Sequence, residues 1–194
     1  ILAISQENIK RFLAYSSIAH VGYILIGVLT MGQAGMGTQA VLIYLAAYLF
    51  MNIGAFAVVI AVSNKLNSDL IKDYDGLSHR NPILAIILVL FLLSLAGVPP
   101  TAGFIGKFFI FASAIKAGYV TIAVIAALNS VIALYYYFRI VHNMYFKNPQ
   151  GEQVTEIAGP LKLAIALSAV MVLAIGIFPD LLVKLAKYSS VILR

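Results

Sequence analysis

Long apolar stretches dominate this sequence and restrict what it can fold into. About five runs, each of roughly 17 or more mostly apolar residues, follow one another with polar breaks between them. Each is long enough to cross a membrane, and we predict spans at about 12–31, 40–62, 82–114, 119–145 and 161–178. Because backbone polar groups in lipid must bond within the span, the sequence predicts an all-α membrane protein forming a single transmembrane bundle.

Composition argues against a water-soluble fold. Hydrophobic residues make up 62% of the 194 residues and charged residues 10%, whereas a soluble domain carries about 25% charged residues. The net charge of +6 is explained by Lys and Arg at span ends rather than by nucleic-acid binding. The sequence contains no Cys, so disulfides and cysteine-bound metal or iron–sulfur centres are excluded within it. Nucleotide-binding, hydrolase and zinc-peptidase motifs are also missing.

The beginning of the chain does not resemble a signal peptide. It lacks an initiator Met, a basic leading region and a small-residue cleavage site. We therefore expect a fragment that starts within a longer protein.

The third span is too long for one straight helix. Its 82–114 run of about 33 residues would extend about 50 Å, against a hydrocarbon core of about 30 Å. Gly97, Pro99, Pro100 and Gly103 lie inside it, and proline interrupts helical hydrogen bonding. We predict a helix broken at 97–103.

Charge placement predicts the orientation. The loops 64–81 and 146–159 fall on the same side as the start of the first span, and this side has the larger share of basic residues, namely Lys10, Arg11, Lys65, Lys72, Arg80, Arg139, Lys147 and Lys162. The other side has Lys116, Lys184, Lys187 and Arg194. The positive-inside rule therefore predicts a cytoplasmic start of the first span and an external C-terminus. The segment 180–194 is predicted to be amphipathic and interfacial.

Lys107 is the first candidate functional residue. It lies nine residues from Lys116, or about 13 Å along a helix, near the bilayer centre. A charge there costs at least about 2.5–3.5 kcal/mol, so its presence indicates function. It also follows the predicted break, where the amide end of a half-helix would oppose an ammonium. The alternatives are a proton relay or a static ion pair with an acid outside this sequence, because the spans contain no Asp or Glu.

His20 is the second candidate, at a similar depth of about 13 Å beyond Arg11. It could hand over protons or be a neutral side chain bonded to Ser16, Ser17 or a carbonyl. Asn52 and Asn129 could hold water or join helices, the latter being favoured. Five tyrosines could line a hydrated path or, as is common for aromatics near span ends, anchor the interface. They are Tyr44, Tyr48, Tyr135, Tyr136 and Tyr137, and only Tyr48 is deep enough to be predicted on the path.

Two motifs resemble a known family. They are NIKRFLAYSSIAHVGYIL at 8–25 and LSLAGVPPTAGFIGKF at 93–108, and both resemble the antiporter-like membrane subunits of respiratory complex I. Within that family, AYSSIAH at 14–20 and NSVIALYYYFR at 129–139 are most similar to the subunit N branch. The resemblance covers nearly the whole chain and implies the C-terminal part of such a subunit.

The resemblance implies specific roles. The third span corresponds to the family's second broken helix, with Lys107 matching its terminal lysine or glutamate, and His20 matches a histidine on the family's central polar axis. Some sister subunits carry a histidine where this sequence has 44–52, so Tyr48 or water would have to substitute. The glutamate and two lysines of the earlier half match nothing here and are expected upstream of Ile1.

The implied function is proton translocation by a Lys107/His20 relay, with Tyr48, Asn52, Asn129 and Ser17 as a further polar axis. No cofactor or metal is expected in this chain, whereas NADH, FMN, iron–sulfur clusters and quinone are expected elsewhere in the complex. The expected partners are sister membrane subunits and lipid, in a bacterial cytoplasmic membrane or an organellar inner membrane. The rival hypotheses are a cation/proton antiporter subunit and a scaffold in which Lys107 is merely paired.

Overall fold

Capping residues and prolines fix where several helices begin in the computed structural model, which describes residues 2–32, 36–149 and 157–192. Asn8 caps the first helix by accepting from the Arg11 amide at 3.0 Å, and Asn81 caps the fourth by accepting from Leu84 at 3.1 Å. Pro82 is the first residue of that helix, where its missing N–H carries no penalty. Arg194 and residues 150–156, which took part in the sequence predictions, lie outside the described residues.

The described chain is helical throughout, apart from short connections. The helices are α1 (Ile9–Leu29), α2 (Gly37–Leu66), α3 (Leu77–Arg80), α4 (Pro82–Ala96), α5 (Ala102–Lys116), α6 (Val120–Phe146), α7 (Gly159–Ile177) and α8 (Asp180–Ile192), with a 3₁₀ turn at Ile71–Tyr74. Among the described residues, α1, α2, α6 and α7 are each long and apolar enough to cross a membrane, and α4 is a shorter apolar helix. The predicted all-α membrane fold is therefore confirmed.

The helix break lies where the sequence predicts it. α4 ends at Ala96 and α5 begins at Ala102. Gly97 has a φ of 90°, a left-handed conformation that favours glycine, and it ends α4 in a Schellman motif. The Val98 amide donates to Leu93 and the Gly97 amide to Ser94, both at 3.0 Å. The prediction of one broken helix in place of a straight third span is confirmed.

α2 is the central helix of the bundle. It packs against α1, α4, α5, α7 and α8, and small buried residues such as Ala47, Gly54 and Ala55 let neighbouring backbones approach closely. Large apolar side chains on the outer faces of α1, α6 and α7 are exposed, including Ile18, Leu128 and Val170. This is the distribution expected of a bundle surrounded by lipid.

The start of α1, the 64–81 connection and the end of α6 meet at one end of the bundle, called the loop end below. The Ile9 amide donates to the Asp69 carbonyl at 2.8 Å, and the Ile71 amide donates to the Glu7 carbonyl at 2.7 Å. The Gly76 amide donates to the Asn143 carbonyl at 3.0 Å. Lys10 pairs with Asp69 at 2.7 Å, and this contact lowers the pKa of the Asp69 carboxyl. α8 contacts the opposite end, where the Gln39 side chain donates to the Val183 carbonyl at 3.4 Å.

Candidate functional site

The amine of Lys107 is buried and turns back towards the end of α4. Lys107 is 4% exposed, and its Nζ donates to the carbonyls of Leu95 at 3.1 Å and Ala96 at 2.6 Å. It also donates to Ser130 Oγ on α6 at 2.7 Å. Lys107 therefore joins both halves of the broken helix to α6.

The helix break explains why these carbonyls accept from Lys107. The last carbonyls of a helix lack intrahelical partners, and the Gly97 and Val98 amides bond only those of Leu93 and Ser94. The Leu95 carbonyl would otherwise be left unpaired in an apolar surrounding, which is costly, whereas the Ala96 carbonyl also accepts from Ser130 Oγ at 3.2 Å. The sequence predicts that the amide end of α5 opposes a charge on Lys107, and the structure adds the carbonyl end of α4, which favours a cation, beside the amine.

The polar contacts of Lys107 in the described chain are with neutral groups. No carboxylate among the described residues pairs with its amine, and the ion pairs Lys10–Asp69 and Lys147–Asp75 lie at the loop end. The amine also stands 5.0 Å from the centroid of the Tyr23 ring, close enough for a cation–π contact. Of the two alternatives left open for Lys107, the static ion pair has no acidic partner within the described residues.

Tyr23 connects the Lys107 region with His20. Its ring meets the edge of the His20 ring at a centroid distance of 6.0 Å and that of Tyr44 at 6.2 Å. Its hydroxyl accepts from Asn129 Nδ2 at 3.2 Å. Tyr23 is buried and lies one helical turn after His20 on α1, so the same face of α1 presents both rings.

Both ring nitrogens of His20 have hydroxyl partners. Nδ1 is 2.7 Å from the Tyr44 hydroxyl and Nε2 is 3.3 Å from the Tyr137 hydroxyl, and the Tyr137 hydroxyl also bonds the Ser16 hydroxyl. A neutral imidazole donates from one nitrogen and accepts at the other. A proton taken up at one nitrogen can therefore be released from the other, as a hand-over residue requires.

These residues form one connected group, which we call the polar cluster. Its members are Ser16, His20, Tyr23, Tyr44, Tyr48, Lys107, Asn129, Ser130 and Tyr137. Beside it, a cavity of about 310 Å³ reaches Lys107 and Ser130 between Phe104, Phe108 and Phe111. Among the described residues, no group of His, Cys, Asp or Glu could hold a metal ion.

The structure brings most of the predicted site residues together. Tyr48 stacks on the His20 ring at a centroid distance of 4.9 Å, and Asn129 reaches Tyr23. Asn52 is half-buried on α2, without a hydrogen bond from its side chain to another described residue. Ser17 donates to the Leu13 carbonyl of its own helix at 3.0 Å, whereas its neighbour Ser16 contacts Tyr137.

Sequence reasoning did not identify Tyr23 or Ser130, and of the two roles it left open for Tyr44 and Tyr137, the structure does not place them as interfacial anchors. Tyr44 and Tyr137 are both 0% exposed. Helical spacing contained the missing signal, because Ser16, His20 and Tyr23 follow one another at four and three residues and so share a face of α1. Tyr44 and Tyr48 share the same spacing on α2.

The chain is similar over most of its length to a curated protein. NADH-quinone oxidoreductase subunit N of Trichlorobacter lovleyi is 47% identical over 189 residues, covering 96% of this chain and 38% of that protein. The chain therefore spans about two fifths of the length of this curated relative.

Solved structures share the arrangement of helices. Respiratory complex I from Thermus thermophilus with bound aureothin contains a chain that matches 94% of this one with a TM-score of 0.75 and 30% identity, over 41% of its own length. The Mrp complex from Dietzia sp. matches 97% of this chain with a TM-score of 0.85, over 43% of its own length. Its 22% identity shows a shared fold alone.

A family model covers most of the chain. The model described as the transmembrane region of the NADH:quinone oxidoreductase/Mrp antiporter proteins matches residues 1–133. This match includes α1, α2 and both halves of the broken helix, and thus both His20 and Lys107. The chain is an integral membrane protein that belongs to the NADH:quinone oxidoreductase/Mrp antiporter family.

Proposed function

We propose that this chain is part of a proton-translocating subunit of an NADH:quinone oxidoreductase, in which quinone reduction elsewhere drives protons through the polar cluster. The observation that carries the proposal is the buried Lys107 amine, which contacts Ser130 and Tyr23 and approaches His20 through the Tyr23 ring. The name of the curated relative supports the same function.

Lys107 and His20 would have complementary tasks in this relay. An ionisable residue kept this deep is costly in lipid, and the contacts of Lys107 with carbonyl and hydroxyl oxygens would hold its amine in place when it is charged. A change in charge in a neighbouring subunit would alter whether Lys107 retains its proton. His20 would take up or supply that proton and exchange it with Tyr44 or Tyr137.

The proposed proton path is interrupted between Tyr23 and His20. Their rings meet edge to face rather than through a hydrogen bond. A proton would therefore need a bound water or a movement of Tyr23 to cross from the Lys107 side to the His20 side. Tyr48 would stack on His20 and hold its ring in place.

The remaining parts of the reaction would lie outside this chain. NADH, FMN, iron–sulfur clusters and quinone would be carried by other subunits, and this chain would contain no redox centre of its own. Its partners would be sister membrane subunits and surrounding lipid rather than nucleic acid. We place it in the bacterial cytoplasmic membrane, with the start of α1 cytoplasmic and α8 at the outer interface.

A cation/proton antiporter subunit is the second candidate function. The fold shared with the Mrp complex favours it, but fold alone does not carry function. The two functions differ in what they require. An oxidoreductase subunit translocates protons only with an electron donor and quinone, whereas an antiporter subunit responds to an ion gradient without either.

Replacement of Lys107 tests the proposal. We expect Lys107→Ala, made in the full-length protein within its complex, to lower proton pumping and NADH-to-quinone electron transfer together while the complex still assembles. The reason is that a coupled relay stops both processes when its proton carrier is lost. Proton uptake by membrane vesicles and NADH oxidation are measured side by side.

Lys116→Ala is the matched control. Lys116 lies on the same helix but is exposed at its end, so both activities should stay at the wild-type level. Unchanged pumping in an assembled Lys107→Ala complex would reject the relay. Loss of assembly with Lys107→Ala would instead support the scaffold hypothesis.

A further inference from the structure

Towards the loop end, the polar cluster ends at Ser16 and Tyr137, and the Tyr136 side chain interacts with both of them. The hydroxyls of Ser16 and Tyr137 bond each other, and Tyr137 bonds His20. A proton on His20 could thus be passed as far as Ser16. Between Ser16 and the loop end, the described buried residues of α1 are Leu13, Phe12 and Ile9, and all three are apolar.

A water-accessible cavity lies at the loop end. It has a volume of about 500 Å³, and its lining includes Gln6, Glu7, Lys72, Arg139, Asn143 and Lys147. Glu7, Lys72 and Lys147 are exposed. Arg139 is fixed there because its guanidinium donates to the carbonyls of Ile4 at 2.8 Å and Gln6 at 3.3 Å.

Phe12 lies between this cavity and the polar cluster. On α1 it precedes Ser16 by one helical turn and follows the Asn8 cap by one turn, so about 6 Å of helix separates it from each. On the α6 side its ring meets the rings of Tyr136 and Tyr137 edge to face, at centroid distances of 5.4 and 5.7 Å. Phe12 is 0% exposed.

The neighbours of Phe12 complete an apolar layer. Ile9, Leu13 and Ile140 are each at most 2% exposed and belong to the same buried core as Phe12. Within the described residues, no side-chain hydrogen bond joins Ser16 to Arg139 or Asn143. The layer is thin, because Tyr137 and Arg139 are only two residues apart on α6.

We propose that Phe12 is a hydrophobic barrier that separates the polar cluster from the cavity at the loop end. An apolar constriction of this kind blocks ions by excluding the water that would conduct them. The barrier prevents His20 from exchanging protons directly with the aqueous phase on the loop side. This inference rests on the proposed proton translocation, since a barrier matters only where protons would otherwise pass.

The apolar layer also explains how proton movement can stay coupled to quinone reduction although the cavity and His20 lie close together. If water joined the cavity to Ser16, protons would run between the loop side and His20 without waiting for Lys107. Pumping would then lose its link to quinone reduction. Phe12 would control coupling without itself taking up a proton.

The test compares Phe12→Ala with wild type in the full-length protein, using the purified complex reconstituted in liposomes. We expect passive proton leak through the resting complex to rise, because each movement of Tyr23 would then connect the Lys107 side with the loop-side water through His20. Protons pumped per NADH oxidised should fall, while NADH oxidation continues. Adding Tyr137→Phe to Phe12→Ala should return the leak towards the wild-type level, because the Tyr137 hydroxyl is the group that bonds His20 on this side. If Phe12→Ala does not assemble, Phe12→Val removes less volume and should show a smaller rise in leak.

Phe91→Ala is the matched control. Phe91 is also 0% exposed but lies against Gly54 on α2, so its removal should not raise the leak. A leak equal to wild type in an assembled Phe12→Ala or Phe12→Val complex would overturn the barrier, and an equal rise in Phe91→Ala would show that any cavity suffices. The Lys107→Ala experiment decides the proposed function separately, because it measures coupled pumping and not resting leak.

Discussion

At the scale of single residues, depth and helix face must be read together. The sequence predicted that Lys107 and His20 are candidates because both lie about nine residues from a basic residue at a span end. It did not identify Ser130 and Tyr23, since depth alone does not tell which face of a helix a neutral hydroxyl occupies. The sequence also could not predict the direction of the Lys107 side chain, because the carbonyls of Leu95 and Ala96 become available as acceptors only through the geometry of the break.

Gly97 offers a test of how closely Lys107 must be held. A Cβ added to Gly97 would lie 2.8 Å from Lys107 Cδ and 3.2 Å from Nζ. Its φ of 90° also costs a residue other than glycine about 1–2 kcal/mol. We therefore expect Gly97→Ala to displace the amine from Ala96 and to reduce proton pumping in vesicles, with the complex still assembled.

Gly118 provides the control for this substitution. Its φ is 84°, so Gly118→Ala meets the same backbone strain, but nothing lies within 4 Å of the added Cβ. Both variants should lose the stability that the backbone strain costs, and Gly97→Ala should lose somewhat more in thermal unfolding because of its contact with Lys107. Only Gly97→Ala should lose pumping. Equal pumping in the two variants would show that Lys107 tolerates displacement.

At the scale of elements, the broken helix shows what proline and glycine patterns predict. The break at 97–103 follows from Pro99 and Pro100, which remove backbone donors. The joining of the two halves does not follow from the pattern. It depends on Ser94, whose Oγ accepts from the Gly103 amide at 3.1 Å and so satisfies a free donor at the start of α5.

Gly103 is predicted to be essential for this joint. A Cβ on Gly103 would lie 1.7 Å from the Ser94 carbonyl oxygen, and backbone cannot move aside as a flexible side chain can. We expect Gly103→Ala to push α4 and α5 apart and to destabilise the bundle by about 1–3 kcal/mol or more, as overpacking does. The measurement is the unfolding temperature of the purified complex together with its yield.

Gly22→Ala serves as the reference for that experiment. Gly22 is also helical, and nothing lies within 4 Å of its added Cβ, so alanine there should be neutral or slightly stabilising. If the Gly103→Ala complex were as stable as the Gly22→Ala complex, α4 and α5 would not need to approach each other closely at Gly103.

At the scale of the whole molecule, hydrophobic runs predicted the class of fold but only part of its arrangement. Span length and charge placement were sufficient to predict a helical membrane bundle with a loop end rich in basic residues. The central position of α2 was not predictable, because every span is apolar on most of its surface and no polar face distinguishes a central helix from an outer one. Small residues such as Gly54, which lies against the Phe91 ring, allow that position.

The orientation of the bundle can be decided by the accessibility of single cysteines, since this chain contains no Cys of its own. Lys72 at the loop end and Lys184 on α8 are both exposed, and the structure places them at opposite ends. We expect Lys72→Cys to react with a membrane-impermeant maleimide in inside-out vesicles, and Lys184→Cys to react in right-side-out cells stripped of their outer wall. Val131→Cys should react in neither, because Val131 is 65% exposed near the middle of α6, where the reagent does not reach. The reverse pattern for the two lysine positions would invert the orientation that the positive-inside rule predicts, and the Phe12 barrier would then face the outer aqueous phase.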